Sequence, residues 1–267
     1  MKKWSEILSF LMAPQLEYVQ VGVTSHCNAL CIYCPKAVYK KKWQNSHLSI
    51  ATFEKLLPDL RRTKFVHLQG WGEPLLNPQF FKMVEKLKAL GHSVGTTSNA
   101  GLWNDEISRQ IVEQNVDLVA FSLAGTSDGQ DKIRCGTSLS QVITAIKSLQ
   151  AAKRIHKTNK PSVHIAYMLL RSGMEEVRFL PDLINGLGIN QVVISVLDFV
   201  PEASLVSECI MPKDYAEEKE IKNYLSEIVE KGKKFGIEIF YRLISPSRKL
   251  GRCSENISNA TYIAPDG

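Results

Sequence analysis

The chain has 267 residues and a mass of 30.0 kDa, with 44% hydrophobic residues, 22% charged residues and a formal net charge of +6. A chain of this size buries roughly three-quarters of its unfolded surface, and its composition excludes fibrous and disordered classes. No apolar run reaches the ~18 residues of a transmembrane helix, so no membrane partner is expected.

Taken in chain order, residues 1–13 read as a short amphipathic lead-in helix rather than a secretory signal. Glu6 interrupts the approach to the apolar run Ile7–Ala13, and no small-residue cleavage pattern follows. A cytoplasmic address is expected. Strands are predicted at Tyr18–Val23, Phe65–Leu68, Ser93–Thr97, Val116–Leu123, Ser162–Leu170 and Gln191–Val196, all short and rich in β-branched residues. Three apolar stripes at helical spacing lie between them. Phe80, Phe81, Val84, Leu87 and Leu90 form the first, stopped by Gly91. Val142, Ile143, Ile146 and Leu149 form the second; Val177, Leu180, Leu183, Ile184 and Leu187 form the third, ending at Gly188. Six strands separated by helices predict an α/β fold with a parallel sheet and right-handed crossovers. Alternation alone leaves a partial barrel and a doubly wound sheet open. Beyond residue 205 the rhythm changes to a charge-laced helix near Lys213–Lys234 and a strand at Gly236–Tyr241. A core of residues 1–205 and an extension of residues 206–267 are therefore expected.

Six cysteines are too few for a disulfide framework, and Cys27, Cys31 and Cys34 crowd into a C-x3-C-x2-C run after the first strand. Three thiolates can hold three corners of an iron–sulfur cluster. Zinc, with His26 or His47 as a fourth ligand, is the lesser alternative. Lys36 and Lys40–Lys42 follow directly; such a run is most simply a solvated face, and its sharper reading is contact with an anionic ligand or nucleic acid. Glu73, Asn99 and Ser122 fall at or just beyond the ends of later strands, the edge at which α/β sites are built.

The cysteine run, with an aromatic residue before its last cysteine, resembles the signature of radical SAM enzymes. Gln69-Gly70-Trp71-Gly72-Glu73-Pro74 is similar to that family's Gly-Gly-Glu-Pro segment, with Trp71 in place of the first glycine. Thr97-Ser98-Asn99-Ala100-Gly101 is similar to its Thr-Asn-Gly turn with one residue inserted, and Ser122 with Arg134 to its fourth-strand serine and downstream arginine. The resemblance implies a partial (β/α)6 TIM-like barrel. It implies a 4Fe–4S cluster on Cys27, Cys31 and Cys34, with S-adenosylmethionine (SAM) chelating the iron that has no cysteine. Reduction of the cluster would then yield a 5′-deoxyadenosyl radical that abstracts hydrogen from a substrate. Gly72 and Glu73 would meet the cationic end of SAM and Arg134 its carboxylate. Asn99 and Ser122 would be further contacts, and Tyr33 and Leu197 would border the adenine.

The tail, with Cys253 before Tyr262-Ile263-Ala264-Pro265-Asp266-Gly267, resembles the opening of a SPASM or Twitch extension. The further cysteines of such a site are absent, so an incomplete extension with a free Cys253 is expected, and residues 262–267 should be poorly ordered or paired at an edge. This likeness implies a maturase acting on a peptide or protein or on another enzyme's cofactor, reduced by a low-potential flavodoxin- or ferredoxin-type donor. The rivals are a small-molecule cofactor-biosynthesis enzyme of the same family, a plain iron–sulfur electron carrier, and a zinc-stabilised nucleic-acid-binding protein using Lys36–Lys42.

Overall fold

The computed structural model describes residues 16–243 and 259–267; the expected lead-in helix and Cys253 lie outside these residues. The strands are β1 (Tyr18–Val21), β2 (Phe65–Leu68), β3 (Ser93–Ser98), β4 (Leu118–Leu123), β5 (Ser162–Leu169), β6 (Gln191–Val196), β7 (Glu238–Tyr241) and β8 (Ala260–Ile263). The helices are α1 (Pro35–Val38), α2 (Ile50–Leu60), α3 (Phe80–Ala89), α4 (Asp105–Glu113), α5 (Gly129–Ile133), α6 (Leu139–Ile155), α7 (Leu180–Ile184) and α8 (Tyr215–Lys234). All strands pair in parallel in the order β7-β6-β5-β4-β3-β2-β1-β8. The sheet is open, with β7 and β8 as its edges. This is the partial barrel, its six expected strands flanked by one more on each side. Among the described residues no helix is long and apolar enough to cross a membrane.

Local sequence explains where the helices start. Ser49, Asn104 and Asp214 each accept a hydrogen bond from a first-turn amide. Ser138 and Gln141 complete a reciprocal capping box at α6. Between the layers lies a continuous core that includes Val19, Val21, Phe80, Leu87, Phe121, Ile146 and Ile165. β5 alternates cleanly: Val163, Ile165, Tyr167 and Leu169 are buried, whereas His164, Ala166 and Met168 are only half-buried.

Several elements differ from their sequence reading. The third apolar stripe is not one helix: it divides into a 3-10 turn at Val177–Phe179 and the five-residue α7. Pro181 has no N–H to donate to the turn before it, which favours that break. Gly186 and Gly188, both at positive φ, end the segment. β4 begins at Leu118 rather than Val116, because Asn115 is left-handed at φ 54°. β1 stops at Val21, before Gly22, where an added Cβ would lie 2.6 Å from the Tyr262 hydroxyl. The tail runs as β8 along the edge of β1, in parallel and not as a hairpin. From the segment after residue 205, β7 extends the same sheet beside β6, with α8 packed on it. Helices α1, α2, α4 and α5 had no counterpart among the predicted stripes.

Candidate active site

A cavity of about 300 Å³ opens at the C-terminal ends of the strands. Cys27, Cys31, Tyr33, Cys34, Gly72, Glu73, Asn99, Ser122, Arg134 and Leu197 all line it. The ten residues singled out in the sequence are thus brought to one place from five different strand–loop junctions.

The cysteine loop leaves β1 and is strapped to the segment after α5. Leu30 N donates to Cys135 O at 2.7 Å, and Ile32 N to Ile133 O at 3.0 Å. A turn from Cys31 O to Cys34 N, 3.0 Å, sets Cys34 at the start of α1. Lys36 Nζ donates to the Cys27 carbonyl at 2.7 Å. Burial lifts the pKa of all three thiols. Among the described residues no three His, Cys, Asp or Glu side chains converge as a single metal ion would require. The three cysteines border the cavity. His26 and His47 are stacked on one another, centroids 4.3 Å apart.

Glu73 is only 2% exposed. Its backbone N–H is held by His26 O at 2.8 Å. One carboxylate oxygen accepts from Ser98 Oγ at 2.8 Å and the other from the Asn99 amide at 2.7 Å. Burial raises its pKa to about 7, against the pull of those hydrogen bonds. Gly72 is required by space: a Cβ there would lie 2.4 Å from His26 O and 2.5 Å from Thr24 O. The β2 loop and the cysteine loop can approach this closely only through glycine.

Asn99 bridges to the cysteine loop, its Nδ2 donating to Asn28 Oδ1 at 2.9 Å and lying 3.6 Å from Cys27 Sγ. Its Oδ1 accepts from Gly101 N at 2.8 Å. Ala100 takes the left-handed φ of 65° that the turn demands, and its amide donates to Ser98 Oγ. Arg134 donates through Nη1 to the Tyr33 hydroxyl, while its buried Nε has no acceptor. The Tyr33 hydroxyl, buried in its turn, has its pKa raised. Ser122 lines the wall on β4 and Leu197 the end of β6. Trp71 is 49% exposed and borders the mouth rather than filling the cavity.

The sequence reading missed much of the opposite wall. Ala166, Tyr167, Met168, Ser195, Asp198 and Phe199 also line the cavity. It missed Ser98 as the partner of Glu73. It also missed Thr97, whose hydroxyl lies 2.9 Å from the buried His67 Nε2. Period-two alternation could have flagged Ala166 and Met168; the others carry no motif.

The model of the Radical SAM superfamily matches residues 21–184, more than half of the chain. The tungsten-containing aldehyde ferredoxin oxidoreductase cofactor-modifying protein of Pyrococcus furiosus is 28% identical over 194 residues, which are 70% of this chain and 53% of that protein. The mycofactocin maturase MftC of Mycobacterium ulcerans is 27% identical over 134 residues, 49% of this chain and 35% of the relative. The chain therefore spans about half or less of these relatives' length. Among solved structures, SuiB of Streptococcus suis bound to S-adenosylmethionine superposes with a TM-score of 0.69 at 13% identity, covering 90% of this chain and 54% of SuiB; SuiB has also been solved with its precursor peptide SuiA. At that identity the likeness carries the fold. With the family model spanning the cysteine loop, the Glu73 loop and the Asn99 turn, the chain belongs to the radical SAM superfamily, enzymes that use a 4Fe–4S cluster and S-adenosylmethionine.

Proposed function

We propose that Cys27, Cys31 and Cys34 ligate a 4Fe–4S cluster and that the rest of the cavity holds SAM for radical modification of a peptide, a protein or another enzyme's cofactor. The observation that carries this reading is the gathering of three thiols, a buried carboxylate and a buried guanidinium whose Nε has no acceptor around one cavity. The donor set fits the group: full cysteine ligation takes four thiolates, and three leave one iron open to another ligand. When bound, cluster and SAM supply a one-electron cleavage that gives a 5′-deoxyadenosyl radical.

The chain's own residues bind and orient. Arg134 Nε, a buried donor with no acceptor, is matched by a ligand carboxylate. Its geometry is fixed through Nη1 on Tyr33. Glu73, lifted to about 7 by burial, becomes ionised when a cationic ammonium or sulfonium enters beside it. Ser98 and the Asn99 amide hold that carboxylate in place. Asn99 Nδ2 faces Cys27 Sγ and would donate to the thiolate. Tyr33 and Leu197 offer an apolar border for an adenine. The wall from β5 and β6, with Asp198, Phe199 and Trp71 at the mouth, is left for the substrate.

The names of the relatives support a maturase: one is called cofactor-modifying and one a maturase. SuiB, with the same fold, was solved with a peptide. Residues 206–267 read as an extension in which β7 continues the sheet and α8 packs on it, and a low-potential flavodoxin- or ferredoxin-type protein as the reductant. The test is direct. Protein reconstituted anaerobically and reduced with dithionite should release methionine and 5′-deoxyadenosine without substrate. No release from a fully loaded, reduced cluster would refute the reading.

A further inference from the structure

We infer that the face carrying His26, His47, Lys36 and Lys40–Lys42 is the docking surface for an acidic protein that carries single electrons. The inference rests on the proposed cluster at Cys27, since it concerns how that cluster is reduced. Three observations carry it.

The first is charge. From residue 18 to residue 53, 36 residues in all, the sequence has no Asp or Glu, and it has four lysines, at 36, 40, 41 and 42. The lysines therefore have no carboxylate within their own segment to neutralise them.

The second is placement. The amides of Lys42 and Trp43 both donate to Tyr39 O, at 2.8 and 2.9 Å, so Lys40–Lys42 form one tight turn, and all three are exposed. The chain that follows is tied back along the start of the cysteine loop. Trp43 Nε1 donates to Ser25 O at 3.1 Å, Ser25 Oγ to Gln44 O at 3.0 Å, and Thr24 bridges to His47. The basic turn is thereby fixed beside His26.

The third is access to the cluster position. Cys27 lines the active-site cavity, and it also lines a second depression formed with His26, Asn28, Lys36, Asn45 and His47. Trp71, Phe199 and the substrate wall belong to the first of these only. One cysteine thus separates the reaction chamber from a basic outer face. A carrier docked there can reach the cluster while substrate occupies the mouth.

The step is a single electron transfer: the carrier's prosthetic group is oxidised by one electron and the cluster is reduced by one. An acidic surface on the carrier complements the lysines and steers encounter. Nucleic acid, the other polyanion, fits less well. Three exposed lysines on one turn neutralise few phosphates and support only weak binding, and such a partner has no use for Cys27.

The test compares the wild-type holoenzyme with two triple variants, Lys40→Glu/Lys41→Glu/Lys42→Glu and Lys40→Gln/Lys41→Gln/Lys42→Gln. Two quantities are read: the dissociation constant for an acidic flavodoxin at low ionic strength, and the rate at which the cluster's absorbance bleaches with reduced flavodoxin or with dithionite. Charge reversal should weaken flavodoxin binding and slow flavodoxin-driven bleaching by about 10-fold or more, with the Gln variant between and the salt dependence flattened. Dithionite-driven bleaching should stay within about twofold of wild type, as reductant of that size needs no docking surface. Unchanged flavodoxin affinity and rate would overturn the inference, as would an equal loss with dithionite. Tighter binding of a single-stranded RNA oligonucleotide than of flavodoxin at the same salt would also overturn it. A wild-type protein with no bleachable cluster would strike instead at the ligands proposed for the cavity, and the binding arm would still decide the docking surface.

Discussion

The two walls of the cavity are built on different terms. On the β1–β4 side, Glu73, Ser98, Asn99, Asn28 and Cys27 form one chain of hydrogen bonds and contacts, and Arg134 is held by Tyr33. The β2 loop and the cysteine loop lock together there at Gly72, which leaves no room for a methyl group. On the β5–β6 side, Ala166 and Met168 present mostly apolar surface, and Phe199 at the mouth is 54% exposed. A wall that holds cofactors of fixed shape rewards preorganisation. A wall that meets the substrate is free to differ between enzymes that share the first wall.

The largest effect expected on the wired side is on stability. Burial holds His67, beneath Thr97, at a pKa of about 4, below its usual 6.5. Between pH 6.5 and 4 the unfolded chain therefore binds more protons at this site, and stability falls as the pH is lowered. The loss attributable to His67 should approach about 3 kcal/mol at pH 4. Denaturant titrations across that window should show a shallower decline in His67→Gln; an unchanged slope would place the acid sensitivity elsewhere.

Gly72→Ala follows. The new methyl must push the Thr24–His26 backbone away, and a shift on the order of 1 Å at a reacting centre costs about 100-fold in rate. Substrate-free SAM cleavage should fall by that order while the thermal transition remains cooperative. Glu73→Gln keeps the shape and removes the charge. Weakening one charge-assisted contact costs about 1.5–3 kcal/mol, so SAM affinity, measured by calorimetry, should drop roughly 10- to 100-fold by the same principle. The smallest effects on cofactor chemistry should come from the other wall. Asp198→Asn and Phe199→Ala should leave substrate-free SAM cleavage within about twofold, because side chains outside the wired network have little hold on the cofactors. They should change how tightly cleavage is coupled to product formation. A collapse of substrate-free cleavage in either variant would erase the distinction between the walls.

The wired wall is also the one that could be read in the sequence. Cysteines at fixed spacing, a glycine–glutamate pair after a strand and an asparagine turn are unusual residue types at strand ends, and that chemistry marks them. The β5–β6 wall has no such mark, since Ala166, Met168 and Ser195 are residues any strand can carry. Ser98 escaped notice because its partner, Glu73, is 25 residues away in another loop. The edge pairing of β8 with β1 joins chain segments more than 230 residues apart, a contact that local pattern does not encode. The division of the third stripe could have been read more closely, since Pro181 stands in the sequence where a continuous helix would need an amide.

The central claim is that Cys27, Cys31 and Cys34 hold a cluster in this cavity, and metal analysis of anaerobically reconstituted protein tests it most directly. The wild-type chain should contain about four irons with matching sulfide, as one 4Fe–4S cluster requires, and Cys27→Ala/Cys31→Ala/Cys34→Ala should contain essentially none while keeping its far-ultraviolet spectrum. A folded triple variant that retains the wild-type iron content would contradict the account.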